Sequence, residues 1–235
     1  MTAMPLVPVR GIGRRRVVNR QVELLRRCAG KRVLHLGCAD HPFTDQRDGQ
    51  LLHAQLERVV SDLWGVDQSA EGIAALITRG FSSLVVTDVE RLEPTQFPGR
   101  FDVIVAGELI EHLANPGAFL QAVKLLMGPE TELVLTTPNA SAAKVFLRAL
   151  LGGEKVHPEH QCYFSYFTIA QALERAGLEP QEIAYYQDVE GRGASAMLDG
   201  ALAVIPRLAP ALADGLIVRA RLTTEGVDNG QRHDA

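Results

Sequence analysis

The sequence predicts an α/β protein built on a mostly parallel sheet with helices on both faces. Two observations carry that reading. Short apolar runs of strand length alternate with helical patterns of roughly ten residues along most of the chain. Polar residues also stand at or just past the ends of those runs, at Asp67, Asp88, Glu108 and Asn139. Right-handed crossovers bring the C-terminal ends of parallel strands to one edge, where ligands bind.

Taken in order, residues 1–13 hold Pro5, Pro8, Gly11 and Gly13 and read as irregular. From Arg15 to Cys28 the apolar positions Val17, Val18, Val22, Leu24 and Leu25 recur at helical spacing, and Ala29-Gly30 ends the helix. Val33, Leu34 and Leu36 make the first strand, which stops at the small-residue turn Gly37-Cys38-Ala39. A buried parallel strand running into such a turn is the usual entry to a nucleotide-type site. Beyond Pro42 a polar segment with Thr44, Asp45 and Asp48 leads to a helix over Leu51–Val60. Leu63–Val66 is the second strand, ending in Asp67, and Ser69–Arg79 is a helix closed by Gly80. Leu84–Val86 is the third strand, Phe101–Ala106 the fourth, Pro116–Met127 a helix and Glu132–Thr136 the fifth strand.

The last third reads differently. Leu150–Tyr166, with Gly152-Gly153 and several aromatic residues, is expected to loop over the site. Thr168–Ala176 is helical up to Gly177, and Glu182–Gln187 and Leu216–Leu222 form two more strands. Ala194–Leu212 between them supplies apolar helical segments, and the polar tail from Thr224 is expected to be disordered. The organisation expected is a basic segment and helix over 1–31, a main domain over 32–223 with a cap drawn from 150–166 and 190–213, and a tail over 224–235.

Bulk properties fit a globular domain. The 235 residues are 46% hydrophobic and 22% charged. Cys28, Cys38 and Cys162 are widely spaced and lack a CxxC pair, which argues against a disulfide framework or a zinc site and fits a reducing cytoplasm. No apolar core of a signal peptide is visible, and Gly193–Val218 is too often broken by charge and proline to span a membrane. Residues 1–32 carry nine basic side chains against Glu23, near +8, which leaves the remainder near −12. A solvated helix with a basic face explains that asymmetry more simply than a nucleic-acid surface.

Several motifs now stand together: V-L-H-L-G-C-A at 33–39, W-G-V-D at 64–67, T-D-V at 87–89, and F-D-V-I-V-A-G-E-L-I-E-H-L-A-N-P at 101–116. L-V-L-T-T-P-N at 133–139 and F-T-I-A-Q-A-L-E-R-A-G-L at 167–178 extend them. In this order they resemble a class I S-adenosylmethionine-dependent methyltransferase of the branch containing the ubiquinone-biosynthesis O-methyltransferases. The resemblance implies a Rossmann-like, seven-stranded, mostly parallel sheet whose last strand is antiparallel. It implies S-adenosylmethionine as cofactor, held by Leu36, Gly37, Cys38, Ala39, Asp67, Gln68, Asp88, Val89 and Glu108. Asp67 would accept from both ribose hydroxyls, Asp88 from the adenine amino group, and the Val89 N–H would reach a ring nitrogen. The plainer reading is that Asp67 and Asp88 are helix N-caps. The family turn carries an acid and three glycines where this chain has His35, Gly37, Ala39 and His41, so Asp40 is the candidate replacement for the acid.

Glu108, Glu111 and His112 are spaced i, i+3, i+4, which one helical turn would place on one face. In the related ubiquinone and small-RNA methyltransferases a similar set binds a divalent metal with a later histidine. His160, or alternatively His157, would complete it here; many relatives with this pattern hold no metal, and that reading is favoured. His112 is then the first candidate general base and His160 the second. The expected reaction is in-line methyl transfer to an oxygen, less readily a nitrogen, of a phenolic, sugar or lipid-linked small molecule. Tyr163, Phe164, Tyr166 and Phe167 would cover that acceptor, or else serve as core or a homodimer face. The rival functions are a catalytically silent binding or assembly domain and an RNA 2′-O-methyltransferase.

Overall fold

A computed structural model describes residues 17–40, 51–154, 156–187 and 205–223. One sheet organises them. Its strands are β1 (Val17–Val18), β2 (Arg32–Leu36), β3 (Asp62–Asp67), β4 (Leu84–Val86), β5 (Val103–Gly107), β6 (Glu132–Pro138), β7 (Leu178–Tyr186) and β8 (Gly215–Leu222). Their order across the sheet is β1-β7-β8-β6-β5-β2-β3-β4. Only β8 runs against its neighbours, pairing antiparallel with both β6 and β7.

The sheet therefore has eight strands, not seven. The additional one is β1, which lies parallel to the end of β7 with Val17 opposite Tyr185 and Val18 opposite Tyr186. Helical spacing had absorbed both valines into the following helix. The helix instead begins at Arg20, because the Asn19 side chain accepts a hydrogen bond from the Val22 N–H at 2.9 Å and caps it there. The two β-branched residues before the cap are left extended and free to pair.

The helices are α1 (Arg20–Cys28), α2 (Leu52–Glu57), α3 (Ala70–Thr78), α4 (Pro116–Leu126), α5 (Ala143–Leu150), α6 (Tyr166–Ala176) and α7 (Ile205–Leu208). Of these, α5 was not anticipated; its N-cap is Ala142, which makes no capping bond, so the sequence carries no start signal there. The other boundaries agree with the sequence reading within a few residues, and Ser69, Asn115 and Ser165 cap α3, α4 and α6 through their side chains. The expected cap segment up to residue 204, the tail beyond Thr223, His41 and the arginines before Val17 lie outside the described residues.

Strand periodicity divides the core in two. Leu34, Leu36, Ile104, Ala106, Leu133 and Leu135 face α4 and α6, and Val33, Val103, Val105 and Val134 face α1 and α2. The middle strands are buried on both faces, which is why their sequences are nearly continuous apolar runs. Each fully buried leucine adds about 1.5–3 kcal/mol of hydrophobic stabilisation. The consequence for function is positional. The direction of the chain reverses around β2, with β3 and β4 on one side and β5 and β6 on the other, so the strand ends open a crevice beside Gly37.

Candidate active site

Strand order fixes the order of the side chains along that crevice. Reading across β6, β5, β2, β3 and β4, the residues at the strand ends are Asn139, Glu108, Gly37, Asp67 and Asp88. At the centre, the Gly37 and Cys38 N–H groups both donate to the Val66 carbonyl, at 2.8 and 3.0 Å. Gly37 has φ 70°, and a Cβ there would meet Leu109 Cδ1 at 3.0 Å, so the position needs glycine on two counts. Ala39 does not share that conformation, since the non-glycine residues at positive φ among those described are Asp40, Ser83 and Glu108. Alanine thus replaces a family glycine at little backbone cost. Cys38 is buried and its thiol is pushed far up by burial and by Asp67, so it packs rather than reacts.

Asp67 accepts from the Ala39 N–H through Oδ2 and from the Ser69 N–H through Oδ1, both at 2.9 Å. These bonds lock the carboxylate against the turn, and each oxygen keeps a further lone pair for a ligand. Asp88 accepts from the Glu90 N–H at 2.9 Å and caps the short 3-10 turn Val89–Arg91. The plain capping reading is therefore geometrically real for Asp88, and it is compatible with the exposed part of the carboxylate meeting a ligand. Val89 is buried, whereas Gln68 is exposed beside Asp67.

No acid holds the position of His35. That side chain is buried between β2 and α2, where its Nδ1 lies 3.2 Å from His53 Nδ1 and the two rings stack with centroids 5.4 Å apart. Burial depresses both imidazoles, His53 to about 4, so the pair is neutral near physiological pH. Gly65 makes the room: a Cβ there would lie 2.8 Å from both His53 Cε1 and Cys38 Sγ. Sequence reading passed over Gly65 and His53; the glycine inside a strand was the available signal.

The Glu108–His112 segment departs from expectation. Only Ile110–His112 form a 3-10 turn, and Glu108 precedes it at φ 50°, so the three side chains do not share one helical face. The Glu108 N–H donates to the carbonyl and hydroxyl of Thr136, both at 3.1 Å, and its Oε1 accepts from the Tyr186 hydroxyl at 2.7 Å. Arg20 closes on the same oxygen at 3.7 Å and lies over the Tyr186 ring. Glu111 is only 1% exposed, and neither carboxylate oxygen has a hydrogen-bond partner. Thr137 Oγ1 favours the carboxylate from nearby but lacks hydrogen-bonding geometry. Burial first, and then the Glu108 charge, push the Glu111 carboxyl up to about 9, so it stays protonated near neutrality.

His112 and His160 do meet, with ring centroids 4.6 Å apart. The strap that brings them together is specific: the Gln161 and Cys162 N–H groups donate to the Glu111 carbonyl, and Gln161 Nε2 donates to the His112 carbonyl at 2.9 Å. His157 joins them at 5.6 Å from His112 and 5.3 Å from His160. Burial lowers both His112 and His160, and His157 lowers them further, leaving neutral bases. Asp40 is near enough to act on His112 in the opposite sense. The acidic metal set implied by the resemblance does not fit this geometry. Glu108 is committed to Tyr186 and Arg20, and neither carboxylate joins the histidine group whose ligand atoms lie within 4.8 Å of one another.

A family model for the methyltransferase domain matches residues 13–183. The chain belongs to that family. A solved S-adenosylmethionine-dependent methyltransferase from Archaeoglobus fulgidus shares the fold at a TM-score of 0.54. That likeness covers 85% of this chain and 91% of the other, with 17% sequence identity. Among curated proteins, the ubiquinone biosynthesis O-methyltransferase of Bradyrhizobium diazoefficiens is 32% identical over 146 residues, covering 60% of this chain and 53% of that protein. The enzyme of the same name from Ralstonia nicotianae is 26% identical over 177 residues, covering 70% of each. The chain thus spans about half the length of the first of these relatives. No helix among the methyltransferase's described residues is long and apolar enough to cross a membrane.

Among the described residues of the basic leader, three arginines are spent internally. Arg27 pairs with Glu23 at 2.7 Å and Glu182 at 2.6 Å, Arg26 with Glu23 at 2.8 Å, and Arg32 with Asp62 at 2.8 Å.

Proposed function

We propose that this methyltransferase moves the sulfonium methyl of S-adenosylmethionine to an oxygen of a small-molecule acceptor. One observation carries the reading: the strand ends set Gly37–Ala39, Asp67 and Asp88 in a row, with the neutral imidazoles of His112 and His160 beyond the Glu108 end. Asp67, held by the Ala39 and Ser69 amides, would take the ribose hydroxyls; Asp88 and the Val89 N–H would take the adenine. Leu36, Cys38 and Gln68 border the same row, and Gly37 lets the backbone approach the methionine end. With His35 neutral, Asp40, directly after the turn, would be the acid left for the methionine ammonium, since Asp67 is assigned to the ribose.

The cofactor supplies the reactive methyl group. The protein's share is alignment, exclusion of water and removal of the acceptor's proton. His112 serves first as base and His160 second, since burial keeps both unprotonated where an imidazolium would be useless. Tyr163 edges against His160 with ring centroids 5.9 Å apart and borders the space where an acceptor would sit. The printed names of the curated relatives, ubiquinone biosynthesis O-methyltransferases, support oxygen as the accepting atom.

A screen of phenol, sugar and lipid-quinone acceptors with methyl-labelled cofactor tests the reading. Label is expected on a hydroxyl oxygen, with His112→Ala slowing transfer about 100-fold or more at unchanged cofactor affinity. Full turnover by His112→Ala would remove its role. The departure of the turn from the family pattern favours one second reading, a silent binding domain, and absence of any cofactor binding by calorimetry would support it.

A further inference from the structure

The buried pair His35–His53 has no part in the methyl-transfer reading, yet it stands directly before the turn that the cofactor would meet. His35 is the second residue before Gly37 on β2, and His53 lies in the first turn of α2. They are only 3% and 1% exposed. Their Nδ1 atoms are 3.2 Å apart and burial keeps both rings neutral, so one Nδ1 must donate and the other accept. The two rings therefore hold opposite tautomers. The turn itself is fastened to β3 by the Gly37 and Cys38 amides on the Val66 carbonyl and by the Ala39 amide on Asp67. Toward α2, a polar link is made by the imidazole pair. That helix has little of its own to fix its place: it is six residues long, its N-cap Leu51 makes no side-chain bond, and its first turn carries no acid. His53 Cε1 and Cys38 Sγ share the notch left by Gly65, each 2.8 Å from where a Cβ would lie, and Phe81 closes edge-on over His53 with ring centroids 5.3 Å apart. A shift of α2 is thus felt at the middle residue of the turn.

Stability alone does not explain such a pair. Two polar rings in an apolar core give up water and regain one bond between them, and replacing both by apolar groups of similar shape is often neutral or stabilising. What a buried, satisfied polar pair supplies is a single geometry. We propose that the His35–His53 hydrogen bond is a positioning device, setting α2 and the Gly37–Ala39 turn in the one register that accepts the methionine end of the cofactor. Both imidazoles are positioning residues rather than catalytic ones, acting through Cys38 and the turn. The role gives a reason for histidine at a position where the family turn carries an acid: a charge is exchanged for a bond to a second element. It rests on the reading of that turn as the cofactor's methionine side.

The test titrates the full chain and its variants with S-adenosylmethionine by calorimetry, with a melting curve for each. A double variant, His35→Leu with His53→Leu, is expected to keep or raise its melting temperature while binding the cofactor about tenfold or more weakly, because the competent turn is less populated. In turnover the loss should fall on KM for the cofactor, with kcat at saturation kept within about twofold. His53→Asn, whose amide places a hydrogen-bonding atom where Nδ1 stands, should bind within about threefold of wild type. Leu56→Ala, a core loss from the same helix, should lower the melting temperature and leave cofactor affinity unchanged. Nitrogen-resolved NMR of the wild type should show one Nδ1–H and one Nε2–H tautomer for the pair, and two rings of the same tautomer would remove the bond itself. Equal affinity in wild type and double variant overturns the role, as does His53→Asn binding no better than the double variant, or Leu56→Ala weakening the cofactor as much. Absence of cofactor binding to the wild type removes the methyl-transfer reading and the positioning role together, a result distinct from each of those.

Discussion

Glu111 shows how one side chain couples the site to the stability of the fold. Its carboxyl is pushed up to about 9 in the folded protein, well above the roughly 4.3 of an exposed glutamate. Between those values the folded state holds a proton that the unfolded state releases, so stability falls as pH rises through the window. Below the lower value, and above the upper, the group contributes no slope. Urea denaturation across this range should show wild type losing stability relative to Glu111→Gln, whose neutral amide has no proton to lose. Parallel profiles for the two proteins would mean that Glu111 titrates normally. Asp67 and Asp88 were legible at this scale because a strand's end can be read from its own residues. Glu108's bond to Tyr186 was not, since it depends on a contact between distant segments.

Among the elements, β1 and α1 meet at Asn19, and the cap decides where one stops and the other starts. Removing it in Asn19→Ala should cost about 0.5–2 kcal/mol, read as a lowered urea midpoint at unchanged slope. The turn after β2 makes a second demand. Gly37→Ala combines a left-handed residue with a Cβ contact of 3.0 Å to Leu109, and should cost about 1–2 kcal/mol or more while weakening cofactor binding. Helix and strand types were readable wherever a cap or an apolar run marked them, as at Ser69, Asn115 and Ser165. They were unreadable at Val17–Val18, too short to show a period of two, and at α5, which begins without a capping side chain. The i, i+3, i+4 spacing at 108–112 misled for a related reason: positive φ at Glu108 breaks the helix that the spacing assumes.

For the whole molecule, strand order does the functional work. Parallel strands bring Gly37, Asp67 and Asp88 to one edge although they lie far apart in sequence, and the two halves of the core hold that edge rigid from both faces. Leu34→Ala, deep in the larger core, should cost about 2–5 kcal/mol and lower the melting temperature without changing which ligand binds. The eroded turn places the strain on a single question, whether His35 and Ala39 still permit a cofactor. Calorimetric titration of the full chain with S-adenosylmethionine, alongside Asp67→Ala, answers it. The predicted result is saturable one-to-one binding to the wild type, weakened about tenfold or more in Asp67→Ala by loss of charge-assisted hydrogen bonds to the ribose. No binding to the wild type, or equal binding to both proteins, would contradict the account.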